Sequence, residues 1–122
     1  MNVKKSSATW SLLPRLRIMH GDQIAVGPGR VELLEHIGET GSLRAAAARM
    51  DMSYMRAWTL VKSLNSYFPE PLVKVTRGGQ AGGGAQLTAA GRTLVAAYRQ
   101  MEKRSQAAMK EPWRKLSPLL RD

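Results

Sequence analysis

Ser42-Leu43-Arg44-Ala45-Ala46-Ala47-Ala48-Arg49-Met50-Asp51-Met52-Ser53-Tyr54-Met55-Arg56-Ala57-Trp58-Thr59-Leu60-Val61-Lys62-Ser63-Leu64 carries two helix starts within a dozen residues of each other. Ser42 and Ser53 each suit an N-cap, because a serine oxygen accepts from the unpaired backbone N–H groups of a first helical turn. Four consecutive alanines, Ala45 to Ala48, have high helix propensity and so little bulk that a second helix can approach closely. Asp51-Met52 breaks the pattern. In the helix that follows, Ala57, Val61, Leu64 and Phe68 recur at the spacing of one buried stripe. Met55, Thr59 and Lys62 project from the opposite side, with Arg56 and Ser63 on its flank and Tyr54 at the start. A small-residue helix, a turn of about four residues and a second capped helix make a helix-turn-helix pattern.

Outward from this pair, the segment Arg30-Val31-Glu32-Leu33-Leu34-Glu35-His36-Ile37 places Val31, Leu34 and Ile37 on one face of an amphipathic helix. Pro28 suits its entry and Gly38 and Gly41 its end. Glu32, Glu35 and Glu39 read as an exposed face. Before it, Leu16 and Ile18 alternate with Arg15 and Arg17, and Ile24 and Val26 follow Gly21-Asp22, which predicts a β-hairpin. After the second helix, Pro69 and Pro71 stop the chain's helical run, and Leu72 to Thr76 alternates as a strand. Arg77 to Ala85 is glycine-rich, and Gln86-Leu87 returns as a short strand. Thr88 caps a last helix containing Leu94, Val95, Tyr98 and Met101, and Pro112 is expected to end any helix before the tail. Trp113 and Leu116 are apolar residues in that tail, available to pack back or onto a partner.

The predicted fold class is therefore mainly α with a small β component, a winged helix-turn-helix. Its expected organisation is a flexible arm over 1–12, a domain over 13–105 (helix-turn-helix about 42–66, wing about 72–87) and a tail over 106–122. A length of 122 residues suits one core, and a second ligand-binding domain of ordinary size does not fit. There are no cysteines, which excludes disulfides and thiolate chemistry. No apolar run approaches the roughly 20 residues that span a bilayer, and the first twelve residues hold too short an apolar stretch for a signal peptide. A cytoplasmic location is expected.

Nineteen lysines and arginines against nine acids give a formal charge of +10. That excess favours a polyanionic partner, since each neutralised phosphate releases condensed counterions; by itself it is equally the mark of a basic, soluble surface. The ordered motifs decide between these. A second helix of such a pair enters the DNA major groove by its N-terminal part, here Ser53, Tyr54, Met55, Arg56 and Thr59. Arg56 has the fork to meet guanine O6 and N7, Met55 the apolar surface for a thymine methyl, and Lys62, one turn on, a charge for a phosphate. Arg77, Gly78, Gly79, Gln80, Gly82 and Gly83 form the expected wing, where missing side chains let backbone N–H groups come close to DNA. Trp58 lies near the buried stripe and is expected to pack. The glycine run lacks both the Gly-Lys-Ser/Thr ending of a P-loop and the Gly-x-Gly-x-x-Gly spacing of a dinucleotide fold. His20 and His36 have no metal-ligand pattern around them, and no nucleophile–base or paired-carboxylate set is present, so neither cofactor, metal nor enzyme activity is expected.

Gly41-Ser42-Leu43-Arg44-Ala45-Ala46-Ala47, Ser53-Tyr54-Met55-Arg56-Ala57-Trp58 and the run Val75-Thr76-Arg77-Gly78-Gly79-Gln80-Ala81-Gly82-Gly83-Gly84-Ala85-Gln86-Leu87-Thr88 resemble the N-terminal DNA-binding domain of the molybdate-responsive ModE repressors. The helix-turn-helix also looks like that of the broader LysR-type group. The resemblance covers roughly 14–105. It implies a homodimer on a palindromic operator in double-stranded DNA, with the recognition positions at Ser53, Tyr54, Arg56, Thr59 and Lys62, the wing at 77–84, and a dimerisation role for Leu94, Val95, Tyr98 and Met101. The family's molybdate-binding β-barrels have no counterpart in this sequence, so the expected regulator relies on a separate effector-sensing partner or is regulated differently. Three other readings fit parts of the pattern: a low-specificity architectural DNA-binding protein, a winged-helix adaptor for a protein partner, and a small-oxyanion sensor.

Overall fold

The computed structural model describes residues 9–76 and 84–122. Two short strands, β1 (Ile18–His20) and β2 (Gln23–Val26), pair antiparallel across a two-residue Gly21-Asp22 loop. Three helices follow: α1 (Pro28–Thr40), α2 (Leu43–Arg49) and α3 (Tyr54–Asn65). The second hairpin, β3 (Val73–Thr76) and β4 (Gly84–Leu87), pairs Val73 with Leu87 and Thr76 with Gly84. The long α4 (Ala89–Ala108) and the short α5 (Lys110–Leu116) complete the chain, with a last 3₁₀ turn at Ser117–Leu119. This is the expected winged helix-turn-helix order.

The predicted punctuation is in place. Pro28 opens α1, and Gly41 closes it in the left-handed conformation (φ 69°), its N–H returning to the Ile37 carbonyl. Ser42, Ser53 and Thr88 accept from the backbone N–H groups of Ala45, Arg56 and Gly91. The core draws on every layer: Val31, Leu33, Leu34 and Ile37 of α1, Leu43, Ala46 and Ala47 of α2, Ala57, Val61 and Leu64 of α3, with Val26, Leu72, Val73, Ala85 and Tyr98 around them. Phe68, past the end of α3, and Trp58 are half-buried against it.

Five expectations need correction. Gly38 does not end α1, which continues to Thr40; a Cβ there would lie 3.1 Å from Leu87 Cδ1, so the glycine lets the wing strand approach the helix. The first strand begins only at Ile18, because the Leu16 carbonyl is taken by the Tyr98 hydroxyl at 2.7 Å. Glu35 does not belong to a free acidic face: it accepts two hydrogen bonds from Arg99 of α4, at 3.0 and 2.5 Å, and Glu102 takes a third Arg99 donor. Pro112 does not precede a helix-free tail. It sits in the first turn of α5, where its missing N–H leaves no bond unmade, and the Trp113 N–H reaches back to Met109. Tyr98 is fully buried and its hydroxyl is used within the chain, so it belongs to the core rather than to a dimer surface. Residues 1–8 of the expected arm lie outside the described residues. Further along, the Leu12 carbonyl accepts from Gln106, and the Trp10 indole donates to the Arg121 carbonyl.

The Glu35 carboxyl is held below its ordinary 4.5, chiefly by the hydrogen bonds from Arg99 and against the opposing effect of burial. A depressed carboxylate contributes stability above its unfolded value and loses it as pH falls through the folded one. Glu35→Gln is therefore expected to destabilise the fold by about 1 kcal/mol at neutral pH, a modest figure because the pair is partly exposed. In urea titrations the gap from the parent should narrow as pH falls through the lowered Glu35 value; a gap independent of pH would contradict the ion pair. A second prediction concerns Gly91, in the first turn of α4. A Cβ there would lie 2.2 Å from the Leu72 carbonyl oxygen, which already accepts from the Thr88 N–H. In an open helix alanine would be the better residue by up to about 1 kcal/mol. Here Gly91→Ala should instead lower stability by about 1–3 kcal/mol.

Candidate nucleic-acid interface

One side of α3 is buried on α1 and α2, Trp58 and Leu60 are half-buried against the core, and the outer face is open to solvent. Ser53, Tyr54, Met55, Arg56, Thr59 and Lys62 are all exposed, Met55 to 64 %. The structure thus brings the expected recognition residues together on the N-terminal half of one helix and its outer face. Ser53 Oγ is engaged as the cap, accepting from the Arg56 N–H at 3.0 Å. Thr59 Oγ1 donates to the Met55 carbonyl at 2.9 Å, which settles its hydrogen on the helix. Arg56 and Lys62 make no ion pair among the described residues, so their charge is uncompensated locally.

Charge is segregated along the chain. From Ser42 to Ser66 there are four basic residues (Arg44, Arg49, Arg56, Lys62) and a single acid, Asp51. Arg49 is partly neutralised by Glu39 at 2.8 Å. The other acids of the helical layer stand on α1, α4 and α5 (Glu32, Glu35, Glu102, Glu111). The outer side of α3 is accordingly cationic and free of carboxylates, which suits a polyanion.

The wing is fixed to this helix by side chains that pattern reading does not single out. Asn65, the last residue of α3, accepts at Oδ1 from the backbone N–H of Leu72 (2.8 Å) and of Val73 (3.4 Å), and donates from Nδ2 to the Val73 carbonyl at 3.3 Å. On the other strand the Ala85 N–H donates to the Gly41 carbonyl at 3.0 Å, joining β4 to the turn before α2. Thr76 closes the hairpin, its hydroxyl exchanging hydrogen bonds with Gly84. The wing therefore has a set angle to α3 at its base. Arg77, Gly78, Gly79, Gln80, Gly82 and Gly83 lie outside the described residues. In sequence Asn65 is an ordinary polar residue at a helix end; only the chain's return brings β3 to it.

Arg44 also lies in this region, its guanidinium carbon 4.9 Å from the centroid of the Tyr54 ring. On α4, Leu94 and Val95 are half-buried against the core and Met101 is 43 % exposed, so each keeps some apolar surface outside the core. No group of three or more His, Asp or Glu side chains suited to a metal occurs among the described residues. No helix among them is long and apolar enough to cross a membrane.

Asn65→Ala removes three hydrogen bonds and leaves the Leu72 N–H and the Val73 N–H and carbonyl without that partner. It should cost about 1–3 kcal/mol in stability, and hydrogen exchange at Val73 and Val75 should accelerate more than at Val61. Uniform acceleration across both sites would mean that Asn65 stabilises the whole domain and does not specifically hold the wing.

Comparison with known proteins agrees with this architecture. The chain is 48% identical over 77 residues to the molybdenum-pterin-binding protein MopB of Rhodobacter capsulatus, an alignment covering 63% of this chain and 28% of that protein. It is 44% identical over 85 residues to the molybdenum transport protein ModE of Azotobacter vinelandii (70% and 32%). It is 38% identical over 71 residues to the DNA-binding transcriptional dual regulator ModE of Escherichia coli (58% and 27%). The matched region is thus about a third of the length of these curated relatives. Among solved structures, the DNA-binding domain of CbnR in complex with DNA superposes with a TM-score of 0.53 at 21% identity, over 75% of this chain and 97% of that one. The LysR-type regulator LysG of Corynebacterium glutamicum superposes with a TM-score of 0.54 at 24% identity (76% and 30%). At these identities the superpositions speak for the fold. The model of the bacterial regulatory helix-turn-helix proteins, lysR family, matches residues 29–92, from the start of α1 into the first turn of α4 and over half of the sequence; the chain belongs to that family.

Proposed function

We propose that this domain binds double-stranded DNA sequence-specifically as a homodimer and acts as a transcriptional regulator, with α3 in the major groove. The observation that carries the reading is the exposed, carboxylate-free face of α3, on which Arg56 and Lys62 stand without ion-pair partners among the described residues. Arg56, near the N-terminal end of α3, reads a base edge, and Lys62, one turn beyond Thr59, meets a phosphate. Met55 supplies apolar contact to a thymine methyl. The segment 77–83 forms the wing tip, with Arg77 and the glycine backbone against phosphate or the minor groove. Leu94, Val95 and Met101 of α4 contribute to the dimer contact. Two α3 helices related by a two-fold axis then enter successive major grooves about 34 Å apart, which matches a palindromic site. The molybdenum in the names of MopB and of the Azotobacter ModE supports a place in molybdenum-linked gene control, in the cytoplasm where the DNA lies. The chemistry is binding rather than catalysis.

Fluorescence anisotropy with a ModE-like palindromic duplex and its scrambled counterpart, each at two salt concentrations, tests this. Tighter binding to the palindrome by about 10³-fold or more is expected. Equal, steeply salt-dependent binding to both leaves two alternatives: an architectural protein with little sequence preference, for which the +10 charge suffices, or a regulator with a different operator. Selection of sites from a random library separates them. On the preferred site, Arg56→Ala should cost about 1–3 kcal/mol and relax the base preference at one position, whereas Lys62→Ala should weaken all sequences alike. Equal losses for Arg56→Ala on preferred and scrambled DNA would remove its base-reading role.

A further inference from the structure

Several arginines of this domain have their guanidinium groups committed within the chain. Arg99 is held by Glu35 and Glu102, Arg49 by Glu39, and Arg30 and Arg92 donate to the carbonyls of Ala25 and Leu87. Arg44 is placed differently. It is exposed, lies over the face of Tyr54, and has no carboxylate partner among the described residues. A guanidinium over an aromatic face is attracted through its charge, and its N–H donors, which lie in the plane at the edge, remain free. The side chain is thus positioned by the ring with its hydrogen-bonding capacity unspent.

Its location gives that capacity a use. Arg44 is the second residue of α2 and Tyr54 the first of α3, so the stacked pair joins the N-terminal ends of the two helices. In a helix-turn-helix the first helix of the pair crosses the sugar-phosphate backbone while the second enters the groove. A guanidinium on the first helix, drawn toward the groove-entering end of the second, is set beside the strand that borders the groove. Planar donors in a fork match phosphate oxygens in pairs.

We propose that Arg44 is a phosphate-binding residue of the DNA interface and that the Tyr54 ring is the platform that holds its guanidinium ready. This rests on the DNA-binding reading above. Tyr54 then contributes as a positioning residue through Arg44. The stack restrains a long side chain before DNA arrives, so less rotamer freedom is lost on binding. The contact is independent of base sequence and acts on any duplex.

The test is a salt titration with a mixed-sequence 30-base-pair duplex, followed by anisotropy for the full chain and five variants, with thermal melts to verify folding. Arg44→Ala should weaken binding about 10-fold and reduce the slope of log affinity against log salt by about 0.9, the value for one phosphate. Arg44→Lys keeps the charge and should keep the slope. Tyr54→Phe keeps the ring and should retain the Arg44-dependent part of the slope. Tyr54→Ala should weaken binding about 2- to 5-fold, and the effect of Arg44→Ala should shrink when made in that background. If the parent protein binds and Arg44→Ala leaves the slope unchanged, Arg44 meets no phosphate and the proposal falls alone. If the slope falls but the Tyr54→Ala and Arg44→Ala effects simply add, the platform role falls. If the parent binds no duplex even at low salt, the DNA-binding reading and this one fall together.

Discussion

Ala46, Ala47 and Ala57 are buried to within a few per cent of complete exclusion from water, and the arrangement of the domain depends on their being that small. Helices come within the closest packing distance only where the side chains between them are short. With alanine at these three positions α2 and α3 settle on α1 around Val31, Leu34 and Ile37. The 12-residue α3 can then bury Ala57, Val61 and Leu64 and still leave Tyr54, Met55, Arg56, Thr59 and Lys62 exposed. A larger residue at 46, 47 or 57 would lift the helix and tilt every exposed side chain with it.

That exposed surface is held at its ends as well as along its length. Ser53 fixes the first turn through the Arg56 N–H, and Asn65 fixes the last residue to β3. α3 is thus clamped between a cap and a strand, and the direction in which Arg56 and Lys62 project is inherited from both. The same economy recurs at the first turn of α4. Thr88 accepts from Gly91 and donates to the Pro71 carbonyl, and Gly91 is bare because the Leu72 carbonyl lies against it. Adjacent segments before β3 are therefore gripped from two helices, which is how a hairpin as short as β3–β4 is aligned with α3.

Much of this was readable without coordinates wherever the deciding chemistry is local. Ser42, Ser53, Thr88, Pro28 and Gly41 act on neighbours within four residues, and each does in the structure what its type and spacing suggest. The stripe of Ala57, Val61 and Leu64 follows from helical geometry alone. What escaped depends on residues brought together by the chain's return. Arg99 reaches Glu35 across 64 positions and Tyr98 reaches Leu16 across 82. No periodicity marks such pairs, so Glu35 reads as one acid of an exposed face and Tyr98 as surplus apolar area. Gly38 and Pro112 mislead for a related reason. Their usual effect on helices is conditional on position, and a glycine beside an approaching leucine or a proline in a first turn disturbs nothing.

Both outer edges of the wing base are occupied. Asn65 takes the Leu72 N–H and both the N–H and the carbonyl of Val73 on one side, and the Gly41 carbonyl takes the Ala85 N–H on the other. An open strand edge is a template on which another chain can lay a strand, and small β proteins guard against it with charges, prolines or bulges. Here a carboxamide and a helix-terminating carbonyl do that work at the foot of the hairpin. A neighbouring molecule finds the Val73 edge and the Ala85 N–H already engaged. The hydrogen bonds that aim the wing base also leave a neighbouring strand little to pair with there.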